Sequence, residues 1–158
     1  MIRFRFDAMA DIKYVKGDAT QPIGEGNKII VHVCNDIGAW GAGFVLAISK
    51  KWKQPEIAYH LMKDKSLGKV DFIRVENDIM IANMIAQKGI GRDPEGNPPI
   101  NYGALRITLN EVNRQAYMTG SSIHMPRIGC GLAGGDWNKV EEIIKDVMSV
   151  PVTVYDFN

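Results

Sequence analysis

Cysteine is scarce in this chain of 158 residues, which has only Cys34 and Cys130. Two cysteines do not make a disulfide framework, so the fold has to be stabilised by a hydrophobic core. Net charge is also nearly absent, because 19 lysines and arginines are balanced by 18 aspartates and glutamates. A net charge of +1 gives no general attraction to nucleic-acid polymers or anionic membranes, and neither is expected as a partner.

Long hydrophobic runs and metal-ligand patterns are missing as well. No stretch of the sequence has the length of a membrane span. Residues 1–15 show no secretory cleavage pattern, and together with the few cysteines this favours a cytoplasmic protein. The three histidines, His32, His60 and His124, have no ligand spacing, so neither a metal nor a cofactor is predicted.

Apolar residues make up 46% of the chain, enough for one core, and we predict a single domain over residues 1–158. Within it, residues 1–11 are predicted to form an extra strand or an arm. Strand-like and helix-like segments then alternate, which predicts an α/β fold with helices on the faces of a mixed or mostly parallel sheet. The predicted strands are 12–15, 28–34, 70–75, 79–85, 123–125 and 152–155, and the predicted helices are 44–52, 55–62, 101–117 and 137–148.

Two strand-to-helix connections, residues 38–43 and residues 129–135, are unusually rich in glycine. Glycine lets the backbone approach a phosphate closely, and the first turn of a helix offers N–H donors with partial positive charge. Ligands of parallel sheets bind beyond the carboxyl ends of the strands, where these loops lie. Side by side, the two loops can hold a diphosphate between them. The alternative is that their glycines only allow tight turns.

Four blocks in sequence order resemble the macro domain family: YVKGD at 14–18, VHVCN at 31–35 with WGAG at 40–43, MPRIGCGL at 125–132 and VTVY at 152–155. The third block is the most specific of the four. The resemblance implies a three-layer α/β/α macro domain fold with a mixed, mostly parallel central sheet. It also implies a cleft whose partner is ADP-ribose or an ADP-ribosylated protein.

The resemblance assigns roles at this cleft. Asp18 is expected to accept a hydrogen bond from the adenine amine, with a turn or helix cap as its alternative role. Tyr155 is expected to stack on adenine, with Phe157 as a weaker candidate and a core aromatic as the alternative. Trp40 is expected to wall the distal ribose, or else to pack. The full predicted ligand-binding set is Asp18, Ala19, Trp40, Gly41, Ala42, Gly43, Gly129, Cys130, Gly131, Leu132 and Tyr155.

The predicted catalytic residues are His32, Asn35 and Asp136. His32 is the candidate acid or base, and its alternative is a core histidine. Asn35 matches a position near the distal ribose, and Asp136 is a nearby carboxylate that can instead cap a helix. The glycohydrolase branch of the family has a lysine and an aspartate where this chain has Gln87 and Ala133. A covalent lysine mechanism is therefore in doubt.

Two functions follow from the resemblance. The first is a hydrolase acting at the distal ribose of ADP-ribose derivatives, on a protein-linked mono-ADP-ribose ester or on ADP-ribose-1″-phosphate. In that case Lys88 or Asp136 can take part only if a loop shifts. The second function is a non-catalytic ADP-ribose reader, which the missing lysine and aspartate favour. The sequence does not specify an oligomeric state.

Overall fold

A computed structural model describes residues 11–157 of the chain. Within this range the chain forms six strands and four helices, and all ten lie within two residues of their predicted bounds. The strands are β1 (Ile12–Lys16), β2 (Lys28–Asn35), β3 (Val70–Glu76), β4 (Ile79–Gln87), β5 (Ser122–Met125) and β6 (Val152–Asp156). The helices are α1 (Phe44–Lys51), α2 (Gln54–Leu61), α3 (Tyr102–Thr119) and α4 (Trp137–Val147).

The strands form one sheet in the order β1-β6-β5-β2-β4-β3. All neighbouring pairs are parallel except β3 and β4, which are antiparallel and joined by a short hairpin. The mixed, mostly parallel sheet predicted from the alternation is therefore confirmed. Because β1, β6, β5, β2 and β4 run in the same direction, their carboxyl ends and the loops that follow them share one edge of the sheet.

Helices cover both faces of this sheet. Every residue of β4 is buried, as expected for an apolar strand covered on both sides. On one face, α3 and α4 pack through buried residues such as Leu109 and Ile144. On the other, α1 and α2 pack through Ile48 and Tyr59. The predicted three-layer α/β/α architecture is confirmed, and Cys34 and Cys130 are free thiols, so the core supplies the stability.

The helix ends follow from local sequence. The Asn101 side chain accepts a hydrogen bond from the Ala104 N–H at 2.8 Å and so caps the start of α3. Gly120 ends the same helix in the left-handed region, at φ 64°, where glycine avoids the steric cost of a Cβ. These caps place the start and end of α3 one and two residues beyond their predicted positions.

One irregularity matters for the site. The register between β2 and β4 shifts between Cys34 and Asn35, so that Asn35 pairs with Gln87 rather than with Ala86. The shift sets Asn35 and Gln87 side by side at the carboxyl edge of the sheet. Apart from Asp11, the arm predicted for residues 1–11 lies outside the described residues. In the range 11–157, none of the helices combines the length and apolar character needed to span a membrane.

Candidate functional site

A cavity of about 620 Å³ opens at the carboxyl edge of the sheet. Its floor is the end of β2, and one wall is the loop that leads into α1. The opposite wall is the loop 126–133 after β5, and Gln87, Ile90 and Gly91 close the side next to β4. The two glycine-rich loops predicted from the sequence therefore line the same cavity. A methyl group added to Gly43 would lie 3.3 Å from the Leu132 side chain, so the loops meet across the cleft.

The first loop is held in shape by buried side chains. The Asn35 Oδ1 accepts hydrogen bonds from the N–H groups of Ile37 and Ala39, at 3.1 and 3.0 Å. Its Nδ2 donates to the Ala39 carbonyl at 2.7 Å. The Tyr59 hydroxyl, whose pKa burial raises to about 12, lies 2.6 Å from the Asn35 carbonyl oxygen and accepts from the Gly38 N–H. These contacts make Asn35 the anchor of the loop.

The same loop leaves backbone donors unpaired at the start of α1. Gly43 is the residue before the helix, has φ +83° and provides no side-chain cap. Within residues 11–157, no hydrogen bond uses the N–H groups of Gly41, Ala42 or Gly43. Unpaired N–H groups at a helix start carry partial positive charge, so this wall attracts anions.

The second loop is held by its own backbone. The Gly135 N–H donates to the Gly129 carbonyl at 2.7 Å, and the Gly134 N–H donates to the Gly131 carbonyl at 3.0 Å. A Cβ on Gly135 would lie 2.4 Å from the Gly129 oxygen, so no larger residue fits without a shift. In the described part of the chain, the N–H groups of residues 129–132 form no internal hydrogen bond. This wall also presents free donors to the cavity.

Ionisable side chains are few in the cavity wall. Among the residues described, the wall contains no aspartate, glutamate or lysine, and Arg127 is the one permanently charged residue that lines it. The Arg127 guanidinium itself pairs with Asp156, which is not a lining residue. His32 also lines the cavity but is only 2% exposed, and burial lowers its pKa to about 4. Its Nε2 lies 2.5 Å from the Asn83 Oδ1, which commits the ring to the core, and the lowered pKa keeps it neutral at pH 7. Burial also raises the pKa of the neighbouring Cys34 thiol, which argues against a thiolate nucleophile.

Most of the predicted loop residues lie in the wall. The structure brings together Asn35 and His32 from the catalytic set with residues of both glycine loops. From the predicted binding set, the wall includes Gly41, Ala42, Gly43, Gly129, Gly131 and Leu132. Cys130 is partly buried and is not one of the residues lining the cavity.

Two aromatic residues of the predicted binding set lie in the core rather than in the cavity wall. Tyr155 is only 2% exposed, because its hydroxyl lies 2.7 Å from His124 Nδ1 and accepts from the Ile23 N–H, so its ring offers no face for adenine. Trp40 is 7% exposed and does not line the cavity. The centroid of its ring lies 5.3 Å from that of the Tyr59 ring, and its Nε1 donates a hydrogen bond to the Ser49 hydroxyl. For both residues the burial and the contacts fit the alternative role, packing.

The catalytic assignment of Asp136 is also not supported. Its carboxylate accepts from the Asn138 N–H at 2.9 Å and caps α4, and the residue is not part of the cavity wall. Lys88 does not line the cavity either, so neither displaced neighbour reaches the cleft. Gln87 and Ala133 do line it. The positions where the glycohydrolase branch has lysine and aspartate are thus at the site and carry an amide and a methyl group.

Asp18 and Ala19 follow the end of β1, at the same edge of the sheet as the cavity, and neither is one of the residues that line it. The Asp18 Oδ1 accepts from the N–H and hydroxyl of Thr20, both at 2.8 Å, which forms the turn given as its alternative role. In residues 11–157, its Oδ2 has no hydrogen-bond partner. Ala19 is buried. The Gly17 N–H donates to the Asp156 carbonyl, which sets Phe157, 81% exposed, next to this turn.

Sequence reasoning missed several residues of the wall. Arg127 lies within the MPRIGCGL block but was given no role, although a cation directly after a strand and before a glycine loop is a usable signal. Ile90 and Gly91 follow β4 in a loop with several glycines and prolines. Nothing in that composition marks the two residues as parts of a cavity.

Solved structures of high similarity cover almost the whole chain. A protein of unknown function from Bacteroides thetaiotaomicron is 54% identical, with a TM-score of 0.91, over 93% of this chain and 98% of that one. A macrodomain protein from Streptomyces coelicolor is 46% identical, with a TM-score of 0.81, over 92% of this chain and 99% of that one. No family model matches the chain.

Curated relatives are more distant. The chromodomain-helicase-DNA-binding protein 1-like of Mus musculus is 31% identical over 92% of this chain, but the chain spans only 18% of that protein's length. An ADP-ribose 1″-phosphate phosphatase of Candida albicans is 27% identical over 91% of this chain and 98% of its own. The fold, the paired glycine loops and the near full-length match to the Streptomyces protein agree: the chain belongs to the macrodomain family.

Proposed function

We propose that the chain binds ADP-ribose in an extended conformation along the carboxyl edge of its sheet. The strand order supports this arrangement. It sets Asp18 and Phe157 at the β1–β6 side, the two glycine loops near β5 and β2, and Asn35 with Gln87 beside β4. Adenine then lies against Phe157, the diphosphate lies between the loops, and the distal ribose lies beside Asn35.

The observation that carries this proposal is the pair of backbone cradles facing one cavity. Each cradle offers N–H groups that have no partner among residues 11–157, one at the start of α1 and one in the loop that precedes α4. Hydrogen bonds from such groups to a phosphate are charge-assisted and short. Two cradles on opposite walls match two linked phosphates better than one phosphate. The free Asp18 Oδ2 can accept from the adenine amine, which would make the site selective for that base.

We further propose that the chain hydrolyses the bond at the distal ribose. Water attacks the ester carbon or the phosphorus, the bond to the ribose oxygen breaks, and that oxygen takes a proton. The products are ADP-ribose and a carboxylic acid or inorganic phosphate. The Candida relative, whose name gives ADP-ribose 1″-phosphate as its substrate, supports this reaction class. Because Gln87 and Ala133 replace the lysine and the aspartate, water rather than a side chain is the attacking group.

Asn35 is the residue we assign to this chemistry. Its Oδ1 is occupied by loop contacts, while Nδ2 uses one N–H for Ala39 and retains a second. That N–H can hold the ribose or the attacking water, and the cradle N–H groups can stabilise developing negative charge. His32 is a weak base in its buried position, since its pKa of about 4 is far below neutral pH. We therefore expect its contribution to be smaller than that of Asn35.

A non-catalytic reader is the second candidate. It is favoured by one observation: within the described residues, the wall holds neither a carboxylate nor a lysine to move a proton. Tight binding without turnover would then be the function. The same experiments decide between the two proposals.

Calorimetry with ADP-ribose tests binding. We expect a single site, and we expect Phe157→Ala to weaken binding by about tenfold because stacking on one aromatic contributes roughly 1–3 kcal/mol. Tyr117→Ala, at an exposed position on α3, is the matched control and is expected to change nothing. A chain that fails to bind ADP-ribose at millimolar concentration would not have the proposed function.

Mass spectrometry of the products tests turnover on ADP-ribose-1″-phosphate, O-acetyl-ADP-ribose and a glutamate-ADP-ribosylated protein. Asn35→Asp keeps the Oδ1 acceptor but removes both Nδ2 N–H groups, one of which donates to the Ala39 carbonyl, so its affinity for ADP-ribose is measured as well. We expect turnover to slow by about 100-fold while ADP-ribose binding is largely kept. Asp136→Asn keeps the helix cap and is the control, with an unchanged rate expected. Binding without turnover of any of the three substrates would leave the reader function in place of the hydrolase.

A further inference from the structure

One residue of the loop after β4, Gly89, is held on both sides by side chains. The Gly89 N–H donates to the Asp36 carboxylate at 2.7 Å, and the Gly89 carbonyl accepts from the Gln87 Nε2 at 3.0 Å. The Asp36 N–H donates to the Gln87 carbonyl at 2.9 Å, so the two residues that hold Gly89 are also joined to each other. A hydrogen bond to a carboxylate is stronger than one between neutral groups. The start of this loop is therefore fixed, although it lies outside the helices and strands.

The position of Gly89 determines where the next side chain, that of Ile90, lies. Gly89 and Gly91 have φ values of +62° and +76°, in the left-handed region that favours glycine, and Ile90 lies between them. Ile90 lines the cavity, yet it is 64% exposed, so core packing does not hold its side chain. Its position depends on the backbone, and Asp36, which does not line the cavity, acts on that backbone through Gly89.

The place of this loop along the sheet indicates which part of a ligand it meets. β4 lies on the opposite side of β2 from β5, β6 and β1. The register shift between β2 and β4 sets Gln87 beside Asn35. In the orientation of ADP-ribose given above, the distal ribose lies beside Asn35. Ile90 therefore meets the distal ribose rather than the adenine.

We propose that Asp36 and Gln87 are positioning residues that hold Ile90 against the distal ribose, and that Ile90 favours ligands that carry this ribose. The inference rests on the proposed function, since it uses the same orientation of ADP-ribose. The amide at position 87 then holds the loop, at the position where the glycohydrolase branch has a lysine. Because the loop is ordered before the ligand arrives, less conformational entropy is lost when the distal ribose binds.

Hydrogen exchange on the ligand-free chain tests whether Asp36 holds the loop. Asp36→Ala removes the acceptor of the Gly89 N–H, and we expect exchange at Gly89 to speed up by about tenfold or more. Asp36→Asn keeps the Oδ1 acceptor and is expected to exchange nearly as slowly as the wild-type chain. Asp93→Ala is the matched control, because Asp93 accepts from the Asn97 N–H at 2.8 Å in the same loop and does not line the cavity.

Calorimetry with ADP and ADP-ribose tests whether the held loop meets the distal ribose, which ADP lacks. We expect Asp36→Ala and Gln87→Met to bind ADP-ribose about fivefold more weakly and ADP with unchanged affinity. Asp36→Asn should restore the affinity for ADP-ribose, because it removes only the charge, and Asp93→Ala should bind both ligands like the wild-type chain. Asp36 is the sharper probe of the two positioning residues, because Gln87 also lines the cavity.

A double variant tests whether Asp36 acts through Ile90. We expect Ile90→Ala to weaken ADP-ribose binding about fivefold without faster exchange at Gly89. If Asp36 only positions Ile90, the combination of Asp36→Ala with Ile90→Ala loses no more affinity than the larger of the two single changes.

Three results would overturn the proposal. Equal losses for ADP and ADP-ribose in Asp36→Ala would give Asp36 a role in the whole cleft. Unchanged exchange at Gly89 in that variant would mean that the carboxylate does not hold the loop. Additive losses in the double variant would mean that Asp36 does not act through Ile90.

In these three cases the wild-type chain still binds ADP-ribose, so the proposed function stands. A wild-type chain that fails to bind ADP-ribose would reject the proposed function and with it the role of Ile90. The exchange rate at Gly89 would still show whether Asp36 holds the loop.

Discussion

The two loops that face each other across the cavity both leave backbone N–H groups free, but different groups hold each loop in its conformation. Residues 36–43 are shaped by side chains, with the Asn35 amide and the Tyr59 hydroxyl holding the backbone from below. Residues 128–135 are shaped by the backbone alone, with glycines at the points of closest approach. Each leaves N–H groups free for an anion. We therefore expect the first loop to lose its conformation when a side-chain group that holds it is removed. We expect the second loop to lose its conformation when a methyl group is added to one of its closely packed glycines.

Gly135→Ala is expected to have the largest effect and tests the second loop. The new methyl would lie 2.4 Å from the Gly129 oxygen, a backbone atom that cannot move independently. We expect the free energy of unfolding to fall by about 3 kcal/mol in urea titrations. Gly131→Ala in the same loop is the control, because no atom of the described residues lies within 4 Å of its added methyl. Equal stability of the two variants would show that the loop is not closely packed.

His32 and His124 lie on β2 and β5, the strands that lead into the two loops. Lowering the pH tests whether the fold keeps these two histidines neutral. Burial lowers the pKa of His32 and of His124 to about 4, and nearby Lys28 contributes at His124. In the unfolded chain the histidine pKa is near 6.5. Between about pH 6.5 and about pH 4 the unfolded chain therefore binds more protons than the folded chain, and the free energy of unfolding falls as the pH falls. From about pH 7 to about pH 5.5 we expect a loss of about 1 kcal/mol for each histidine.

Urea titrations at the two pH values measure this loss. His124→Gln should remove about half of the pH dependence, whatever it does to stability at neutral pH. A wild-type chain whose unfolding free energy is the same at both pH values would mean that these imidazoles are not held neutral.

Tyr59→Phe is expected to have the smallest effect and tests the first loop. Loss of the hydroxyl removes the acceptor of the Gly38 N–H and a donor to Asn35, which we expect to cost about 1 kcal/mol. Hydrogen exchange should speed up at Gly38 and Ala39, with Gly134 and Gly135 unchanged. Tyr117→Phe, an exposed tyrosine, is the control. Faster exchange in both loops would contradict their independence.

The fold was largely predictable because its signals are local. The apolar run of β2 and the glycine loops predict the order of strands and helices along the chain. The family resemblance predicts the three layers. The ends of α3 were missed by one and two residues, because caps by Asn101 and Gly120 depend on backbone angles that a sequence pattern does not show.

The site was predictable in part. Backbone cradles are marked by glycine, so they were found. The burial of Tyr155 and Trp40 is not predictable from the sequence, because the same aromatic residue type occurs in cores and in clefts. Their hydrogen bonds to His124 and Ser49 place both side chains in the core. Asn35 meets Gln87 through a register shift between strands distant in sequence. A pairing between two strands that are distant in sequence cannot be predicted from the sequence of either strand alone.

The common direction of five strands has a consequence for how this protein can change. Contacts such as Lys28 with Asp78, Ser122 with Asn27 and Ile123 with Pro151 gather at the amino border of the sheet, far from the ligand loops. Substitutions and insertions at that border alter chain connections without touching the cleft. Descendants of this sequence can therefore acquire new lengths and surfaces there while the binding chemistry at the opposite border is retained.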